Sequence, residues 1–489
     1  MRTLVTIIAT TTLISAVLIG APSKAFGLAN EIYVGSNDDA TAASSCADPD
    51  FSTDPSDESS INAALDAALA AIDDDADTII ICEGEYEYQS DISVHDGAVD
   101  HDVISIEAEA NKVVTLSGIG QYQLLSFENV TSVYVSGITF NAAQSDPNGA
   151  AIEIIGGELS VADSIFTDGE ATENGGAIYS EPGHVDISGS TFARNWADDE
   201  GGAVAVEEAA EGEGVSVTQS YFTDNLEAEG AAISVNGADS GAIITVVDSE
   251  FENNDGAYGA ITIDDGAVVL DHVLMNGNNA TTGAGGAVWS GEGLTATDSE
   301  FSNNSAVSEG GAVYSGGDVE VVKSLFASNS SGGDSEGGAI SVEYCDMALV
   351  SRSTFIQNSA GDDGGGALNF DCNADAEVLV TGNSFKNNSA RRYGGAIDQE
   401  DDVFTIQYVG NTFTGNAVTD SSSGRDGEGG AVWAYSATFS RNRFIRNTAS
   451  DFGGAIYVWS DAPTARSANR SGFSGNRARR GANVYLARD

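Results

Sequence analysis

Residues 285–304 read GGAVWSGEGLTATDSEFSNN, and residues 310–329 read GGAVYSGGDVEVVKSLFASN. The two stretches align without a gap, 25 residues apart. Each opens with Gly-Gly-Ala and an aliphatic residue, and each closes on a Phe followed three residues later by Asn. Self-similarity at a short and regular period is typical of a solenoid. This pair of stretches decides the fold, because the same two motifs alternate along most of the chain.

The two motifs recur with a spacing of mostly 25 to 31 residues between successive copies. Copies of the Gly-Gly-Ala motif begin at Gly175, Gly201, Gly285, Gly310, Gly337, Gly365, Gly394, Gly429 and Gly453, with degenerate copies at Gly149, Gly230, Gly259 and Gly481. Copies of the Phe-x-x-Asn motif or a close relative begin at Phe192, Phe222, Phe251, Phe301, Phe326, Phe355, Phe385, Phe413, Phe444 and Phe473, with looser copies at Phe140 and Phe166.

Local composition predicts which solenoid this is. Each unit holds short β-prone runs, such as residues 319–322 and 378–380, broken by Gly, Asn, Asp and Ser. No unit shows the apolar period of 3.6 residues that a helix requires. Three short strands and three turns fill one unit, and such coils stack about 4.8 Å apart through main-chain hydrogen bonds. The sequence therefore predicts an all-β protein, a single-stranded right-handed parallel β-helix of about a dozen coils.

Stacking of equivalent positions explains the motifs. Phe at one place in every coil predicts an internal aromatic stack, and Asn near a turn predicts an amide ladder between coils. The paired glycines permit backbone angles that a Cβ atom disfavours. After them, the aliphatic residue and the second residue beyond it share a face. In the copy at Gly453 these are Ile456 and Val458, which we expect to point inward.

The residue between those two inward positions is expected to point outward. It is aromatic in six copies of the motif, namely Tyr179, Trp289, Tyr314, Trp433, Tyr457 and Tyr485. Trp433, Tyr457 and Tyr485 fall on consecutive coils, so they predict an exposed aromatic ladder. The same region is basic, with Arg441, Arg443, Arg446, Arg466, Arg470, Arg477, Arg479 and Arg480. Aromatic faces beside cations suit sugar rings and acidic glycans, so this ladder is the candidate ligand-binding surface. The alternative is that these rings only protect the strand surface under a loop or a C-terminal cap.

The N-terminal part is expected to carry a signal peptide and a cap. Residues 1–25 have the layout of a secretory signal peptide, a basic residue followed by an apolar run and small residues. Residues 30–84 are expected to form an N-terminal cap and the first strand, with a capping helix at about 60–73. Ile61, Leu65, Leu69 and Ile72 lie on one face of that helix. Residues 85–489 then form the β-helix, with its repeats at about 140–485.

Four cysteines form two expected disulfides. An exported protein meets an oxidising compartment, where disulfides persist. Cys345 and Cys372 follow consecutive Gly-Gly-Ala motifs by nearly the same distance, so we expect them to be neighbours on adjacent coils. Cys46 and Cys82 would fasten the cap to the first coil.

The alternating motifs resemble the polymorphic outer membrane protein repeat family. Gly175-Gly176-Ala177-Ile178 and Phe192-Ala193-Arg194-Asn195 carry that resemblance, which covers roughly residues 140–485. Residues 31–84 resemble the start of pectate-lyase-like β-helices. The resemblance implies a secreted or cell-surface protein with an adhesive role. Many members of the family end in an outer-membrane barrel, and the repeats here run to about Val484, so release or non-covalent retention at the surface is expected instead.

The charge balance excludes several partners. There are 75 acidic and 19 basic residues, a formal charge of −56, and residues 1–300 hold only four of the basic ones. So negative a surface repels nucleic acid and anionic membranes. No segment after the signal peptide is long and apolar enough to span a bilayer as a helix. The expected partners are glycans or surface proteins.

Catalysis is the main alternative to adhesion. Carboxylates are so abundant that pairs such as Asp198-Asp199 have little specificity, and the His-Gly and Arg-x-Lys segments typical of pectin hydrolases are missing. The sequence therefore nominates no catalytic, cofactor-binding or metal-binding residue. Calcium at Asp-rich turns such as residues 73–77 is the one cofactor considered. A polysaccharide lyase or glycosidase of the pectate-lyase-like superfamily and a cation-binding matrix component remain as alternatives.

Overall fold

The computed structural model describes residues 31–36, 46, 51–53, 64, 65, 68, 78–88, 93–95 and 103–487, the last range with gaps at 146, 211, 213, 227–228, 237–240, 334, 362, 401–403, 420–426 and 460–469. Over these residues the chain winds as a right-handed parallel β-helix, as the repeats predict. Every strand pairing in it is parallel, and each joins equivalent positions of successive coils. The strand from Ile340, for example, pairs with the one from Leu368.

The strand that follows each Gly-Gly-Ala motif belongs to the first face, sheet 1. Its members are β5 (Ser93–His95), β8 (Leu125–Glu128), β12 (Ile152–Ala162), β15 (Ile178–Ser188), β18 (Val204–Glu207), β21 (Ile233–Asn236), β25 (Ile261–Ile263), β29 (Val288–Ser290), β33 (Val313–Ser315), β37 (Ile340–Ser351), β39 (Leu368–Thr381), β42 (Ile397–Gln399), β46 (Val432–Ala434), β49 (Ile456–Val458) and β51 (Val484–Leu486).

The next strand in each coil belongs to the second face, sheet 2. Its members are β1 (Glu31–Ser36), β2 (Phe51–Thr53), β3 (Thr78–Ile81), β6 (Val103–Ala108), β9 (Ser132–Ser136), β19 (Gly214–Thr218), β22 (Ala242–Val247), β26 (Gly266–Asp271), β30 (Gly293–Thr297), β34 (Asp318–Val322), β43 (Thr405–Val409) and β47 (Ala437–Ser440). The long strands β12, β15, β37 and β39 continue from sheet 1 into sheet 2, so the two faces form one 27-stranded sheet.

The strands that carry the Phe residues form the third face, sheet 3, of 15 strands. Its members are β4 (Gly84–Glu87), β7 (Val114–Ser117), β10 (Ile138–Asn141), β13 (Ile165–Thr167), β16 (Thr191–Ala193), β20 (Tyr221–Thr223), β23 (Glu250–Glu252), β27 (Leu274–Asn276), β31 (Glu300–Ser302), β35 (Leu325–Ala327), β38 (Thr354–Ile356), β40 (Ser384–Lys386), β44 (Thr412–Thr414), β48 (Arg443–Ile445) and β50 (Gly472–Ser474).

Two-residue strands lie between sheet 3 and the next Gly-Gly-Ala motif. They are β11 (Gln144–Ser145), β14 (Glu170–Ala171), β17 (Trp196–Ala197), β24 (Asp255–Gly256), β28 (Asn279–Ala280), β32 (Ser305–Ala306), β36 (Ser330–Ser331), β41 (Ser389–Ala390) and β45 (Ala417–Val418).

The core contains the predicted aromatic stack. Phe rings of successive coils lie nearly parallel, with centroids 4.6 Å apart at Phe166 and Phe192 and 4.8 Å apart at Phe385 and Phe413. This separation matches the distance between neighbouring strands of a sheet. The stack is interrupted once, where a coil without the Phe motif places Met275, fully buried, in the same column. The flexible Met side chain fills the space of a ring.

The predicted asparagine ladder is also present, and it connects eleven coils. Each ladder amide from Asn195 to Asn447 donates to the Oδ1 atom of the Asn in the next coil and to a main-chain carbonyl. Asn278, for instance, donates from Nδ2 to Asn304 Oδ1 at 3.1 Å and to the carbonyl of Phe251 at 3.0 Å. Its Oδ1 accepts from the main-chain N–H and Nδ2 of Asn254. The ladder comprises Asn195, Asn225, Asn254, Asn278, Asn304, Asn329, Asn358, Asn388, Asn416, Asn447 and Asn476.

The paired glycines are required for two separate reasons. The first glycine of the pair adopts a left-handed conformation, with φ of 61° at Gly337. The second lies against the next coil, where a Cβ atom built on Gly338 would be 2.4 Å from the carbonyl oxygen of Gly366. Only glycine satisfies both positions without displacing a neighbouring coil. The inward positions of the motif are also as predicted, since Ile456 and Val458 have no exposed surface.

Both expected disulfides are formed. Cys345 and Cys372 are paired in register on β37 and β39, and Cys46 is bonded to Cys82. Of the expected capping helix, the described residues are Ala64, Leu65 and Ala68, which are helical and buried in the core. Ile61, Leu69 and Ile72 lie outside the described residues, as do residues 1–25.

Removing one rung of the ladder tests its contribution to stability. We expect Asn278→Ala to lower the free energy of unfolding by about 2–4 kcal/mol, because it leaves buried donors and acceptors on two coils without partners. The adjacent Asn279, near the surface, provides the control, and Asn279→Ala should cost less than about 1 kcal/mol. Urea denaturation of both variants measures the difference. Equal midpoints for the two variants would contradict a stabilising ladder.

Candidate functional site

The residue after the buried aliphatic of each motif forms a column along the outer side of sheet 1. Strand register places these residues one above another, as at Trp433, Tyr457 and Tyr485. From the N-terminal coils onward the column reads Ser126, Glu153, Tyr179, Ala205, Ser234, Thr262, Trp289, Tyr314, Ser341, Asn369, Asp398, Trp433, Tyr457 and Tyr485. The column therefore changes from polar to aromatic side chains between Asp398 and Trp433, which lie on adjacent coils.

A cleft of about 1020 Å³ lies over the C-terminal part of this column. Two further columns form its walls, one from the residues that precede the Gly-Gly pairs and one from residues two positions beyond the central column. We call this cavity the C-terminal cleft. It is lined by Glu336, Asp363, Tyr393, Asp398, Glu400, Glu428, Trp433, Tyr435, Asp451, Phe452, Tyr457, Trp459, Arg479, Arg480, Tyr485 and Ala487.

The predicted aromatic ladder forms the floor of the C-terminal cleft. The rings of Trp433 and Tyr457 are stacked with centroids 5.9 Å apart, and those of Tyr457 and Tyr485 are 5.6 Å apart. The three rings are nearly parallel, with interplanar angles of 8° and 18°. Parallel pairing of β46, β49 and β51 imposes this spacing, because it fixes the distance between equivalent residues on neighbouring strands.

The expectation that this ladder is exposed is corrected by the structure. Trp433 and Tyr457 are only 7% and 3% exposed, and Tyr485 is half-buried. The physical reason is that the wall columns are aromatic too. Tyr435 packs edge-on against Trp433 at 4.8 Å, and Phe452 lies 4.6 Å from Tyr485. The rings thus face a lined cavity rather than open solvent.

Sequence reasoning missed Tyr435 and Trp459, which continue the aromatic surface on one wall. Both lie two residues after a ladder residue, and alternation along a strand puts such residues on the same face. The alternation of side chains along the strand could have identified both residues from the sequence. Trp459 is the most accessible ring of the cleft, with 48% of its surface exposed. The other aromatic motif residues lie elsewhere: Trp289 and Tyr314 stack on each other at 5.9 Å, and Tyr179 donates a hydrogen bond to Glu181.

Glu428 fixes the orientation of the aromatic floor. The residue is 8% exposed, and its carboxylate accepts a hydrogen bond from Trp433 Nε1 at 3.0 Å. A buried indole N–H needs such a partner, so Glu428 holds the plane of the Trp433 ring.

The opposite end of the C-terminal cleft carries Glu336, Asp398 and Glu400, which we call the carboxyl cluster. Asp398 is 3% exposed, and its Oδ1 accepts the main-chain N–H of Gln399 at 3.0 Å. A Cβ atom built on Gly364 would lie 1.9 Å from Asp398 Oδ2. Because Gly364 in the wall column has no side chain, the carboxyl group of Asp398 occupies the space that a side chain at position 364 would fill.

Two carboxyl groups of this cluster, those of Glu336 and Asp398, have a raised pKa. Burial, followed by the charge of Glu400, raises the pKa of Asp398 well above its usual range. Burial and the charges of Asp398 and Glu400 raise the pKa of Glu336 in the same direction. Burial thus favours the uncharged form of Asp398 and Glu336, while Glu400 is exposed to solvent.

Two arginines lie at the far end of the cleft. Arg480 lies over the ring of Phe452, with Cζ 5.7 Å from the centroid, and Arg479 is 3.5 Å from Asp451. Of the basic residues singled out in the sequence, these two line the cleft. Arg443 lies on sheet 3, on another face, and Arg466 lies outside the described residues.

Two sets of potential metal ligands occur among the described residues. The ligand atoms of Asp271, His272 and Asp298 lie within 4.8 Å of one another at the surface. The other set contains Cys46 and Cys82, whose sulfur atoms are joined in a disulfide. The Asp-rich turn at residues 73–77, considered for calcium, lies outside the described residues. Within the part of the chain that the structure describes, no helix has the length and apolar character to cross a membrane.

Comparison with known proteins supports the fold. The family model described as a right handed beta helix region matches residues 231–413. No curated protein matches the chain. Among solved structures, a mannuronic acid specific polysaccharide family 6 lyase from human gut microbiota is 11% identical, with 71% of this chain and 84% of that chain covered and a TM-score of 0.36. PfbA, a surface adhesin of Streptococcus pneumoniae, is 12% identical, with 83% and 89% covered and a TM-score of 0.36. Likeness at this level carries no functional argument.

The buried carboxyl makes stability depend on pH. A group whose pKa is raised by folding stabilises the fold fully below its unfolded pKa, about 3.9 for Asp, and loses that contribution as pH rises toward the folded value. We expect the melting temperature to fall as pH rises above about 4, and Asp398→Asn to reduce that fall by several degrees. Asp375→Asn removes an exposed carboxylate with the same change in net charge and serves as control. Identical pH dependence in the two variants would contradict a raised pKa of Asp398.

Proposed function

We propose that this protein is a secreted or cell-surface β-helical repeat protein that binds glycans in the C-terminal cleft, in an adhesive or structural role. The observation that carries the proposal is the stack of Trp433, Tyr457 and Tyr485 on the floor of a cavity. Three aromatic rings in a row give the cleft an apolar floor, and such a floor suits the apolar faces of successive sugar units.

The walls of the cleft supply the polar contacts that such a ligand needs. Ligand sites combine a largely apolar lining with a few placed polar groups. Here the carboxyl groups of Glu336, Asp398 and Glu400 face one end, and Arg479 and Arg480 face the other. Sugar hydroxyls donate to carboxylates and accept from guanidinium groups, so both ends provide partners. The arginine end also favours glycans that carry an acidic group.

Secretion is part of the proposal. The signal peptide layout of residues 1–25 and the resemblance to polymorphic outer membrane protein repeats support it. The two disulfides also support it, because disulfides persist mainly in oxidising compartments.

Retention on immobilised polysaccharides tests the proposal. The mature protein is applied to a panel of neutral and acidic polysaccharides, with and without calcium, and retention is measured. We expect at least one polysaccharide to retain the protein. Retention by none of them would contradict glycan binding, and retention that appears only with calcium would favour a cation-binding matrix component.

A variant at the accessible ring locates the binding site. We expect Trp459→Ala to weaken binding to the retained glycan by about 1–2 kcal/mol, roughly 5- to 30-fold in Kd, because it removes an aromatic wall of the cleft. Tyr344→Ala is the matched control, since Tyr344 is 65% exposed and lies outside the cleft. Isothermal titration with each variant measures Kd. Equal affinities of the two variants would move the site away from the C-terminal cleft.

A further inference from the structure

One coil carries a histidine between two acidic side chains, at the turn that leads from sheet 2 to sheet 3. Asp271 ends strand β26, His272 follows it, and Asp298 is the equivalent of His272 in the next coil. One ligand atom from each of these side chains lies within 4.8 Å of the other two. We call the three residues the histidine corner. They lie outside the C-terminal cleft, and the proposed glycan binding does not use them.

Asp271 departs from the repeat. From Ser136 to Ser440 it is the only charged residue in its column along the end of sheet 2. The other members of this column are Ser136, Ala162, Ser188, Thr218, Val247, Thr297, Val322, Ser351, Thr381, Val409 and Ser440. Asp is depleted in strands, so the fold gives no reason for a carboxylate here. A residue that breaks its repeat beside a histidine indicates a local function.

The main chain holds the histidine corner in register. The N–H of His272 donates to the carbonyl of Thr297 at 3.1 Å, so His272 and Asp298 remain on neighbouring coils. Nδ1 of His272 lies 3.0 Å from Oδ1 of Asp271. Two tetrahedral ligands of one zinc ion are about 3.3 Å apart, so these two atoms already have a suitable separation. The side chain of Asp298 is 32% exposed, and a small rotation brings its carboxylate to the same ion.

The charges around the histidine corner favour a divalent cation. Nζ of Lys323 lies 3.0 Å from Oδ2 of Asp298, which leaves the second oxygen of that carboxylate for an ion. Hydrogen bonds of this kind orient metal-binding carboxylates. Asp248 is the equivalent of His272 in the preceding coil and adds a third carboxylate to those of Asp271 and Asp298. Three carboxylates and one ammonium group leave two negative charges for a divalent cation to neutralise.

We propose that the histidine corner binds a divalent transition metal ion, best matched by zinc, through His272, Asp271 and Asp298. Imidazole is a preferred ligand of zinc, copper and nickel, whereas calcium and magnesium take oxygen ligands. Zinc is commonly bound by three protein ligands with water in a fourth position. Because the ligands come from two consecutive coils, the ion links these coils at the surface of the β-helix.

Calorimetric titration of the mature protein tests this site. Protein treated with EDTA and then dialysed is titrated with zinc chloride and, separately, with calcium chloride. The variants are His272→Ala and Asp271→Ser, which restores a residue common in the column. His184→Ala is the matched control, because His184 also lies beside an acid, Asp186 at 3.2 Å, but belongs to no converging set among the described residues. Circular dichroism and melting temperature confirm that each variant is folded.

A second measurement follows the histidines themselves. Diethyl pyrocarbonate modifies accessible imidazole groups, and peptide mass spectrometry gives the rate at each histidine with and without zinc. We expect zinc to slow the modification of His272 and to leave that of His184 unchanged. An unchanged rate at His272 in the presence of bound zinc would overturn the assignment of the site.

We expect wild type and His184→Ala to bind zinc with Kd values within about twofold of each other, and His272→Ala and Asp271→Ser to bind it about 10-fold or more weakly. Zinc affinity that is equal in wild type and His272→Ala would overturn the proposal. Calcium bound more tightly than zinc would also overturn it, because oxygen ligands alone would then account for the binding.

Discussion

The structure depends on one constraint, that each residue lies directly above its equivalent in the next coil. Parallel pairing fixes this register along sheets 1 and 3, and the asparagine ladder repeats it inside a turn. Asn278 shows how strict the constraint is, because its amide must reach both Asn304 and the carbonyl of Phe251. A coil displaced by one residue would lose these hydrogen bonds and turn the Phe column outward.

The same constraint determines what the surface can do. Side chains of one column are held about 4.8 Å apart, whatever their chemistry. For aromatic residues this spacing is favourable, and Trp433, Tyr457 and Tyr485 stack. The one acid beside them, Asp398, is buried, and burial and the charge of Glu400 raise its pKa. The C-terminal cleft lies where the column changes from the polar residues Asn369 and Asp398 to these aromatic ones. The aromatic floor and the buried carboxyl group thus arise from one register.

Much of the fold was predictable from the sequence because the repeat encodes it. The Phe stack, the Asn ladder, the inward Ile456 and Val458 and the pairing of Cys345 with Cys372 all follow from aligning the copies. The coil with Met275 was less evident, since it lacks the Phe by which copies are recognised. Alignment also placed Trp433, Tyr457 and Tyr485 in one column.

The cleft itself was not predictable in the same way. The burial of Trp433 depends on side chains from neighbouring coils, such as Tyr435, that the motif does not specify. Asp398 was one acid among 75, and only the space left by Gly364 distinguishes it. The repeat determines which residues share a column. The C-terminal cleft, in contrast, depends on residues that differ from one coil to the next.

A crystal structure of the protein with an oligosaccharide of the retained glycan tests the account most directly. The account predicts sugar rings over Trp433, Tyr457 and Tyr485, inside the C-terminal cleft. An oligosaccharide bound elsewhere, such as over the stack of Trp289 and Tyr314, would contradict it.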